Sequence, residues 1–370
     1  MNSVTPLSVD ALPLGHLITQ PPLRRGFLLV TLALAWLVIL PATRAVSPAP
    51  DGGYSGANTA EGDNALFSLT SGTNNTANGL EALLSNTTGS FNTANGCFAL
   101  ASNNGNYNTA NGAFALYYNT TGNYNTAIGY LALFSNTTGI DNTATGSAAL
   151  SGNTTGDFNT ASGFDALLSN TTGSNDTATG VNVLLENTTG TDNTGNGANA
   201  LYNNTTGIDN TATGSAALTR NTTGNYNVAS GVSALFYNVV GHDNTGEGFQ
   251  ALLNAKGSNN IGIGSNAGAN LSNGSNNIDI GNVGVAGESS KIRIGKQGTQ
   301  KNTYIAGIFG ATVANGVPVR IDSTGHLGTL TSSARFKEAI KPMDKASEAI
   351  LALKPVTFRY KEELDPDKIP

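Results

Sequence analysis

The sequence predicts an all-β fold, a repetitive parallel β-solenoid or β-roll built from coils of 17 residues. The first observation is a five-residue word, N-T-A-I-G at residues 125–129, which returns as N-T-A-T-G at residues 142–146, 17 positions later. The second is the composition, with 46 glycines and 11% charged residues, where ordinary globular domains have about 25% charged residues. A period this strict and short is typical of stacked coils, one per repeat.

The repeating unit is N-T-A-x-G-x-x-A-L-x-x-N-T-T-G-x-x, and its spacing is nearly constant. Successive words lie 17 residues apart, except for steps of 16 from Asn92 to Asn108 and from Asn244 to Asn260. The word begins at Asn58, Asn75, Asn92, Asn108, Asn125, Asn142, Asn159, Asp176, Asn193, Asn210, Asn227, Asn244, Asn260 and Asn277.

Seventeen residues are too few for helix pairs or propeller blades but sufficient for two short strands and two tight turns. Ala127 and Gly129 alternate with Thr126 and Ile128, which predicts a strand with one face of small residues. We expect the recurring Asn and Gly at turn positions that need a positive φ. In the second word, residues 132–133 are an adjacent Ala and Leu, so that limb is either a helical turn or a bent strand.

The predicted interior is thin, because each coil offers only small residues and one large apolar residue, commonly Leu. Ordering 17 residues costs more than about 1 kcal/mol each, which a single coil does not offset. Stacking of coils helps, and association of chains side by side would help more. Between residues 58 and 290 the cations are Arg220 and Lys256, which excludes nucleic acid as a partner because phosphate binding requires many Lys and Arg. The sequence predicts no cofactor.

The words at residues 125–129, 260–264 and 277–281 resemble the head repeats of trimeric autotransporter adhesins of the YadA type. The resemblance covers roughly 60% of the chain, from 58 to 281, although this unit is longer than the usual head repeat. It implies a left-handed parallel β-roll in which three chains assemble side by side at a bacterial surface. The implied partners are a homotrimer and a ligand on a host surface, a glycan or matrix.

Residues 1–45 are predicted to be a signal peptide or an N-terminal anchor. Arg24 and Arg25 precede an apolar run at 26–40, and small residues follow, with a cleavage site after Ala45. The apolar run is short for a membrane span of about 20 residues. We therefore expect an exported protein at the cell surface or outside the cell, touching a membrane only if this segment stays uncleaved. Residues 46–57 form a Pro- and Gly-rich linker.

The connector at 282–330 is predicted to be β-rich, with strands at 291–295, 304–308 and 317–322 and a turn at 325–328. Cys97 is the single cysteine, so no intrachain disulfide exists; we interpret it as a small residue at a variable repeat position. The three histidines are scattered and the aspartates lack the spacing of a calcium repeat. The sequence predicts no metal site.

The segment 331–370 is predicted to be a small, partial α+β domain, with a short helix after Asp344 that ends before Pro355 and a strand at 356–360. From 332 to 360 it resembles the intramolecular chaperone domain of phage tail spikes, the S74 peptidase family. The family motif, a serine with a lysine five positions on, is matched by Ser332 and Lys337. The resemblance implies that the domain helps three chains to fold together and then cuts itself off at the serine.

Two departures from the S74 pattern bear on self-cleavage. Ser333 stands where the phage spikes often have Asp, and it is an alternative nucleophile. The family domain continues beyond the point where this sequence ends at Pro370, so we expect impaired cleavage. The leading hypothesis is an exported, adhesin-like structural fibre with a self-processing trimerisation segment. The alternatives are a Ser-Lys autoprotease as the main activity, or a solenoid whose aligned Thr columns bind ice or carbohydrate.

Overall fold

The computed structural model describes residues 55–308, 313–314 and 316–329. The predictions for the signal segment at 1–45, for most of the linker and for the domain at 331–370 lie outside these residues. The described part falls into two compact units that divide after Lys296, and each is described by itself. In the described ranges no helix is long and apolar enough to cross a membrane.

Seventeen short strands make up the regular structure of the described residues. Strands β1 to β15 form one parallel sheet in chain order, and β16 and β17 form a separate antiparallel hairpin. They are β1 (Thr59–Glu61), β2 (Thr76–Asn78), β3 (Thr93–Asn95), β4 (Thr109–Asn111), β5 (Thr126–Ile128), β6 (Thr143–Thr145), β7 (Thr160–Ser162), β8 (Thr177–Thr179), β9 (Thr194–Asn196), β10 (Thr211–Thr213), β11 (Val228–Ser230), β12 (Thr245–Glu247), β13 (Ile261–Ile263), β14 (Ile278–Ile280), β15 (Ile292–Ile294), β16 (Val319–Ile321) and β17 (Leu327–Thr329).

The strand register follows the sequence period, which confirms the predicted solenoid of 17-residue coils. Thr126 of β5 pairs with Thr143 of β6, its equivalent one coil later. The two 16-residue steps keep this register, because Thr93 pairs with Thr109 and Thr245 pairs with Ile261. Each strand therefore stacks on its equivalent, and the repeats form one continuous column of coils.

The strand side of each coil buries one residue and exposes two, as the alternation predicts. In β5, Ala127 is fully buried, whereas Ile128 is 43% exposed. Most strands show the same exposed–buried–exposed pattern. The buried position is an alanine in most coils because the turn limb lies close behind the strand. At Gly262, the same position in its coil, even a Cβ would lie 2.8 Å from the Ala267 carbonyl oxygen and from the Leu252 Cγ.

The second limb is a run of tight turns, so each coil has one strand and not the two expected. The Ala132 N–H donates to the Gly129 carbonyl (3.4 Å), and the Phe134 N–H donates to the Leu131 carbonyl (3.3 Å). Leu131 and Leu133 have φ values of 58° and 51°, which no helix or strand allows. With this backbone conformation, the side chains of Ala132 and Leu133 are both buried in the interior, although the two residues are adjacent in sequence.

The apolar interior consists of stacked alanine and leucine columns, with one large side chain per coil. The fully buried leucines are Leu83, Leu100, Leu116, Leu133, Leu150, Leu167, Leu184, Leu201, Leu218, Leu235, Leu252 and Leu271. Each buried leucine stabilises the fold by about 1.5–3 kcal/mol, less than the chain entropy of one coil. Backbone bonds between coils add to this, such as the Leu133 N–H donating to the Ala149 carbonyl at 3.0 Å.

The expectation that the recurring asparagines occupy positive-φ turn positions is wrong. Asn125 and Asn136 are fully buried, and neither has a positive φ. In the same coil the positive φ values fall on Gly129, Leu131, Leu133 and Asp141. The positions of Gly129 and Leu133 keep the same residue type in nearly every coil, whereas those of Leu131 and Asp141 vary. A single non-glycine residue in the left-handed region costs only about 1–2 kcal/mol.

The buried asparagines instead form two ladders of side-chain amides that run along the rod. In the first ladder, the Oδ1 of Asn125 accepts from both the backbone N–H (3.0 Å) and the Nδ2 (3.2 Å) of Asn142, one coil later. In the second, the Nδ2 of Asn153 donates to the Oδ1 of Asn136 (2.8 Å). Asn142 and Asn153 both donate to the carbonyl of Gly156, at 2.8 and 3.0 Å. The amides thus satisfy one another inside the rod.

The connector differs from its prediction in two respects. The parallel sheet continues past residue 281, because Ile278 of β14 pairs with Ile292 of β15. The predicted strand at 304–308 is absent, since a turn at residues 306–307 with Gly307 at φ 81° interrupts it. The strand expected at 317–322 is β16, and the turn that follows it leads into β17.

Candidate functional site

The predicted catalytic residues Ser332 and Lys337, with Ser333 as the alternative nucleophile, lie outside the described residues. Their assignment remains a prediction. In the described residues, the candidate functional groups are exposed side chains on the surface of the rod and two buried carboxyl groups.

The sheet face of the rod carries an exposed column of threonines. The first residue of each strand from β1 to β10 is Thr, and in-register pairing places each above the next. Nearly all are exposed, at the strand spacing of about 4.8 Å. They are Thr59, Thr76, Thr93, Thr109, Thr126, Thr143, Thr160, Thr177, Thr194 and Thr211. This regular row of hydroxyl and methyl groups is the arrangement that the binding hypothesis requires.

A short ladder of aromatic rings stands just before three strands. Phe91 and Tyr107 stack with ring centroids 4.8 Å apart, and Tyr107 and Tyr124 stack at 4.9 Å. Each ring is about half exposed. Because the ring faces contact one another, mainly edges are presented to solvent, and the ladder is not a platform for stacking a sugar ring.

The two cations of the repeat array lie near the C-terminal end of its turn limb. The guanidinium of Arg220 lies over the Tyr237 ring, 4.9 Å from its centroid, a cation–π contact. Tyr237 and Lys256 line a shallow groove together with Asn254 and Ser272. Both cations are exposed, so they are solvated charges and not part of a buried site.

Asp176 is the one acid in the first asparagine ladder, and it is fully buried. Its Oδ1 accepts from the backbone N–H (2.9 Å) and Nδ2 (3.1 Å) of Asn193, and its Oδ2 accepts from the Nδ2 of Asn187 (3.1 Å). Burial raises the pKa of this carboxyl to about 7, and the charge of Asp192 adds to the effect, while the bonds from Asn193 and Asn187 oppose it. The group is held by amides and has no cation beside it.

A second buried acid, Asp279, stands where most coils have alanine. It is 1% exposed, and neither carboxyl oxygen has a hydrogen-bond partner. Its strand neighbour Arg293 is held by Glu288 instead, with Nε–Oε1 at 2.8 Å and Nη2–Oε2 at 2.6 Å. The pKa of Asp279 is raised to about 6, mainly by burial and also by the charge of Glu288, while Arg293 lowers it. The bond from Arg293 lowers the pKa of Glu288.

The remaining reactive side chains do not form a site in the described part of the chain. Cys97 is a free, half-buried thiol at the sixth position of its coil. The ring Nδ1 of His242 accepts the backbone N–H of Asn225 at 3.0 Å, and His326 lies 3.8 Å from Asp322 on the exposed hairpin. Among the described residues, no three His, Cys, Asp or Glu side chains are close enough to hold a metal ion.

Sequence reasoning missed the two buried amide ladders. The available signal was that Asn recurs at the first position of 13 of the 14 coils and at the twelfth position of ten consecutive coils, from Asn86 to Asn238. Positive φ values fall on two constant positions, the glycine and the buried leucine, and on two variable ones. The signal for the ladders is therefore a polar residue that recurs at the same position in successive coils, where its side chains can pair with one another.

One comparison with known proteins identifies the C-terminal segment. A search of curated proteins found no match, and the predicted likeness of the repeats to YadA-type heads stays a prediction. Residues 332–369, about a tenth of the chain, match the family described as the chaperone of endosialidase, peptidase S74. The match begins at the predicted nucleophile Ser332 and includes Lys337. The chain is therefore a parallel β-solenoid that carries a peptidase S74, chaperone-of-endosialidase segment at its C-terminal end.

Proposed function

We propose that this protein is an exported structural fibre, adhesin-like in role, whose solenoid body is assembled as a homotrimer by its C-terminal segment. The observation that carries the proposal is the combination of a 15-stranded in-register sheet with an S74 chaperone segment at 332–369. A rod of identical coils has a long surface and a thin core, which suits a spacer or attachment fibre. A C-terminal chaperone suits a fold whose chains must align before they can stack.

The acidic, cation-poor surface supports a role outside the cell as a fibre and argues against nucleic-acid partners. Residues 58–290 contain two Lys or Arg residues, far fewer than a phosphate-binding surface needs. The basic and apolar pattern at 1–45 supports export. The ligand class that fits an adhesin-like role is a glycan or a matrix component on a host surface.

Light scattering on the purified full chain tests the assembly, with an expected mass of three chains. Cell fractionation with N-terminal sequencing tests export, and a mature chain that begins at Val46 is the expected result. A folded monomer would overturn the trimeric fibre, and an intracellular chain that retains Met1 would overturn export.

A second candidate activity is self-cleavage at the start of the S74 segment, which the extent of the family match favours. In this reaction the Ser332 hydroxyl attacks a neighbouring peptide carbonyl, and Lys337 in its neutral form accepts the proton. The peptide bond breaks, the new amine takes up a proton, and water hydrolyses the resulting ester to free the serine. Because the bond belongs to the same chain, proximity replaces substrate binding.

Mass spectrometry of the full chain is the test of self-cleavage. If the dyad is active, a product ending near Ser332 appears, and both Ser332→Ala and Lys337→Ala abolish it. Cleavage that persists in Ser332→Ala and vanishes in Ser333→Ala would move the nucleophile by one residue. Cleavage that is indifferent to Lys337→Ala would overturn the dyad.

The exposed threonine column supports a third candidate, a flat face that binds ice or carbohydrate. The ten aligned threonines of β1 to β10 present hydroxyls at a regular spacing. Thermal hysteresis of the full chain, or binding to a glycan array, would support this candidate. Thr143→Lys and Thr177→Lys should then remove the effect, since both side chains are exposed on the sheet face.

A further inference from the structure

An apolar stripe runs along the turn limb of the rod at the tenth position of the coil, directly after the buried leucine. From the second to the thirteenth coil its members are Leu84, Ala101, Tyr117, Phe134, Ser151, Leu168, Leu185, Tyr202, Thr219, Phe236, Leu253 and Ala269. Ten of these twelve side chains are half-buried beside the core, and the two alanines among them are buried. Eight of the twelve are large and apolar or aromatic.

A second stripe, at the sixth position of the coil, lies beside the first. Its large members are about half exposed: Leu80 (42%), Tyr130 (55%), Phe164 (53%), Val181 (47%), Val232 (47%) and Phe249 (50%). Ring contacts join the two stripes, because Phe114 touches both Tyr130 (centroids 6.4 Å apart) and Phe134 (6.5 Å). Together the sixth and tenth positions of coils 2 to 13 form one surface, here called the apolar ridge.

The apolar ridge carries no charged residue along its whole length. Its sixth-position members from Leu80 to Ser265 and its tenth-position members from Leu84 to Ala269 are all uncharged. The charged residues that flank the ridge are few: Glu81 and Asp165 at the seventh position and Glu186 and Arg220 at the eleventh. The seventeenth position alone carries four acids, Asp141, Asp192, Asp209 and Asp243. Two acidic rods can therefore approach through the ridge with less like-charge repulsion than through other sides.

The size of the ridge matches what a stable interface between proteins requires. Twelve coils at about 4.8 Å give a length of roughly 60 Å, and a width of about 10–15 Å gives roughly 600–900 Å² per chain. Specific interfaces bury about 800 Å² per partner, and monomers rarely expose apolar patches beyond about 300–600 Å².

The periodicity of the ridge indicates what covers it. Its side chains recur at the rise of one coil over 12 coils, so a matching partner must be equally long and have the same spacing. A second copy of this chain meets both requirements when the two rods run parallel and in register. We propose that the apolar ridge is the face through which copies of this chain pack side by side. This inference rests on the proposed trimeric fibre and specifies its interface.

The test replaces three adjacent ridge side chains with a residue that the same column already contains. Leu168→Ser, Leu185→Ser and Tyr202→Ser are combined in the full chain, since Ser151 and Thr219 occupy the tenth position in other coils. We expect the association constant, measured by analytical ultracentrifugation, to fall at least about 100-fold. Circular dichroism should show that the solenoid remains folded.

The matched control removes as much exposed apolar surface from another side of the rod. It combines Tyr124→Asn, Phe158→Asn and Tyr226→Asn at the seventeenth position, where Asn74 and Asn175 occur naturally. We expect the control to keep the association of the unmodified chain. An oligomer that survives the ridge variant would overturn the ridge and leave the fibre proposal standing. An unmodified chain that is monomeric would overturn both.

Disulfide cross-linking decides the matter if the ridge variant fails to fold. In a Cys97→Ala background, Leu185→Cys places a thiol on the ridge and Asn175→Cys places one at the seventeenth position. Copper phenanthroline should cross-link copies of the Leu185→Cys chain within the oligomer and leave the Asn175→Cys chain uncrosslinked. The reverse pattern would overturn the ridge as the interface.

Discussion

The second amide ladder ends where Asn238 meets Ala255 one coil later. In the preceding coils each Oδ1 accepts the Nδ2 of the next asparagine, as Asn204 accepts from Asn221 at 2.7 Å. Alanine has no donor, so the buried Oδ1 of Asn238 has no hydrogen-bond partner. The ladder therefore has one end where an amide is only half satisfied, and an interior where each amide is shared between two coils.

This difference predicts unequal costs for the same substitution. Asn136→Ala removes the acceptor of Asn153 and the donor of Asn119, and should destabilise the fold by about 2–4 kcal/mol. Asn238→Ala leaves only the Oδ1 of Asn221 without its donor, and it also removes a buried oxygen that has no hydrogen-bond partner. It should cost about 1–2 kcal/mol less. Denaturant unfolding of both variants is the measurement, and equal costs would contradict a ladder that shares its bonds.

Gly129 is expected to tolerate no side chain. Its φ is +134°, and a Cβ there would approach the Gly146 carbonyl, with the carbon at 2.7 Å. Gly129→Val should cost about 2–5 kcal/mol through backbone strain and overpacking. Ile128→Thr is the control, because Ile128 is exposed and Thr145 occupies its position one coil later; it should change stability by less than about 1 kcal/mol. Similar melting of the two variants would refute the distinction.

The sequence predicts the period, the parallel stacking of the coils and the buried alanine of the first strand, because these follow directly from repeat length and alternation. It does not predict the backbone of the second limb. Leu131 and Leu133 adopt positive φ values that leucine disfavours in isolation. The bonds between coils impose this conformation, such as the Leu133 N–H to the Ala149 carbonyl. The conformational preference of a single residue therefore does not predict the backbone where hydrogen bonds between stacked coils determine it.

The surface was predicted less well than the core. The aligned threonines can be predicted from the repeat. Predicting the apolar ridge requires knowing that the tenth position of the coil lies beside the sixth. That neighbourhood follows from the turns and is visible in the contacts of Phe114 with Tyr130 and Phe134. For Ser332 and Lys337, the sequence and the family match are the grounds for assignment.

Asp279 is expected to make the end of the solenoid less stable as pH rises. Its pKa in the folded chain is about 6, above the usual 3.8, so between about pH 4 and 6 the folded state holds a proton that the unfolded state releases. Stability therefore falls across that window. Asp279→Ala loses no hydrogen bond, since its oxygens have none, and should raise the melting temperature more at pH 8 than at pH 5. An equal gain at both pH values would contradict a buried, titrating carboxyl.

Asp176 provides the sharpest pH test, because asparagine occupies its position in 13 other coils. Its folded pKa of about 7 lies above the usual 3.8, so stability should fall from about pH 4 to pH 7 and then level off. The whole effect corresponds to roughly 4 kcal/mol. Asp176→Asn removes this pH dependence. It also supplies an Nδ2 that can donate to the Oδ1 of Asn159 and to the Gly190 carbonyl. The Nδ2 of Asn193 makes the equivalent bond to the Gly207 carbonyl at 2.9 Å.

The measurement for Asp176 is the free energy of unfolding of the unmodified chain and of Asp176→Asn between pH 4 and 8. The two curves should lie close together near pH 4, where the native carboxyl is neutral, and separate by a few kcal/mol at pH 8. Asp192→Asn is the control, since Asp192 adds a repulsive charge to Asp176 but lies at the surface; it should give a much smaller gain. Curves for the unmodified chain and Asp176→Asn that stay parallel from pH 4 to 8 would show that the buried acid does not titrate in this range.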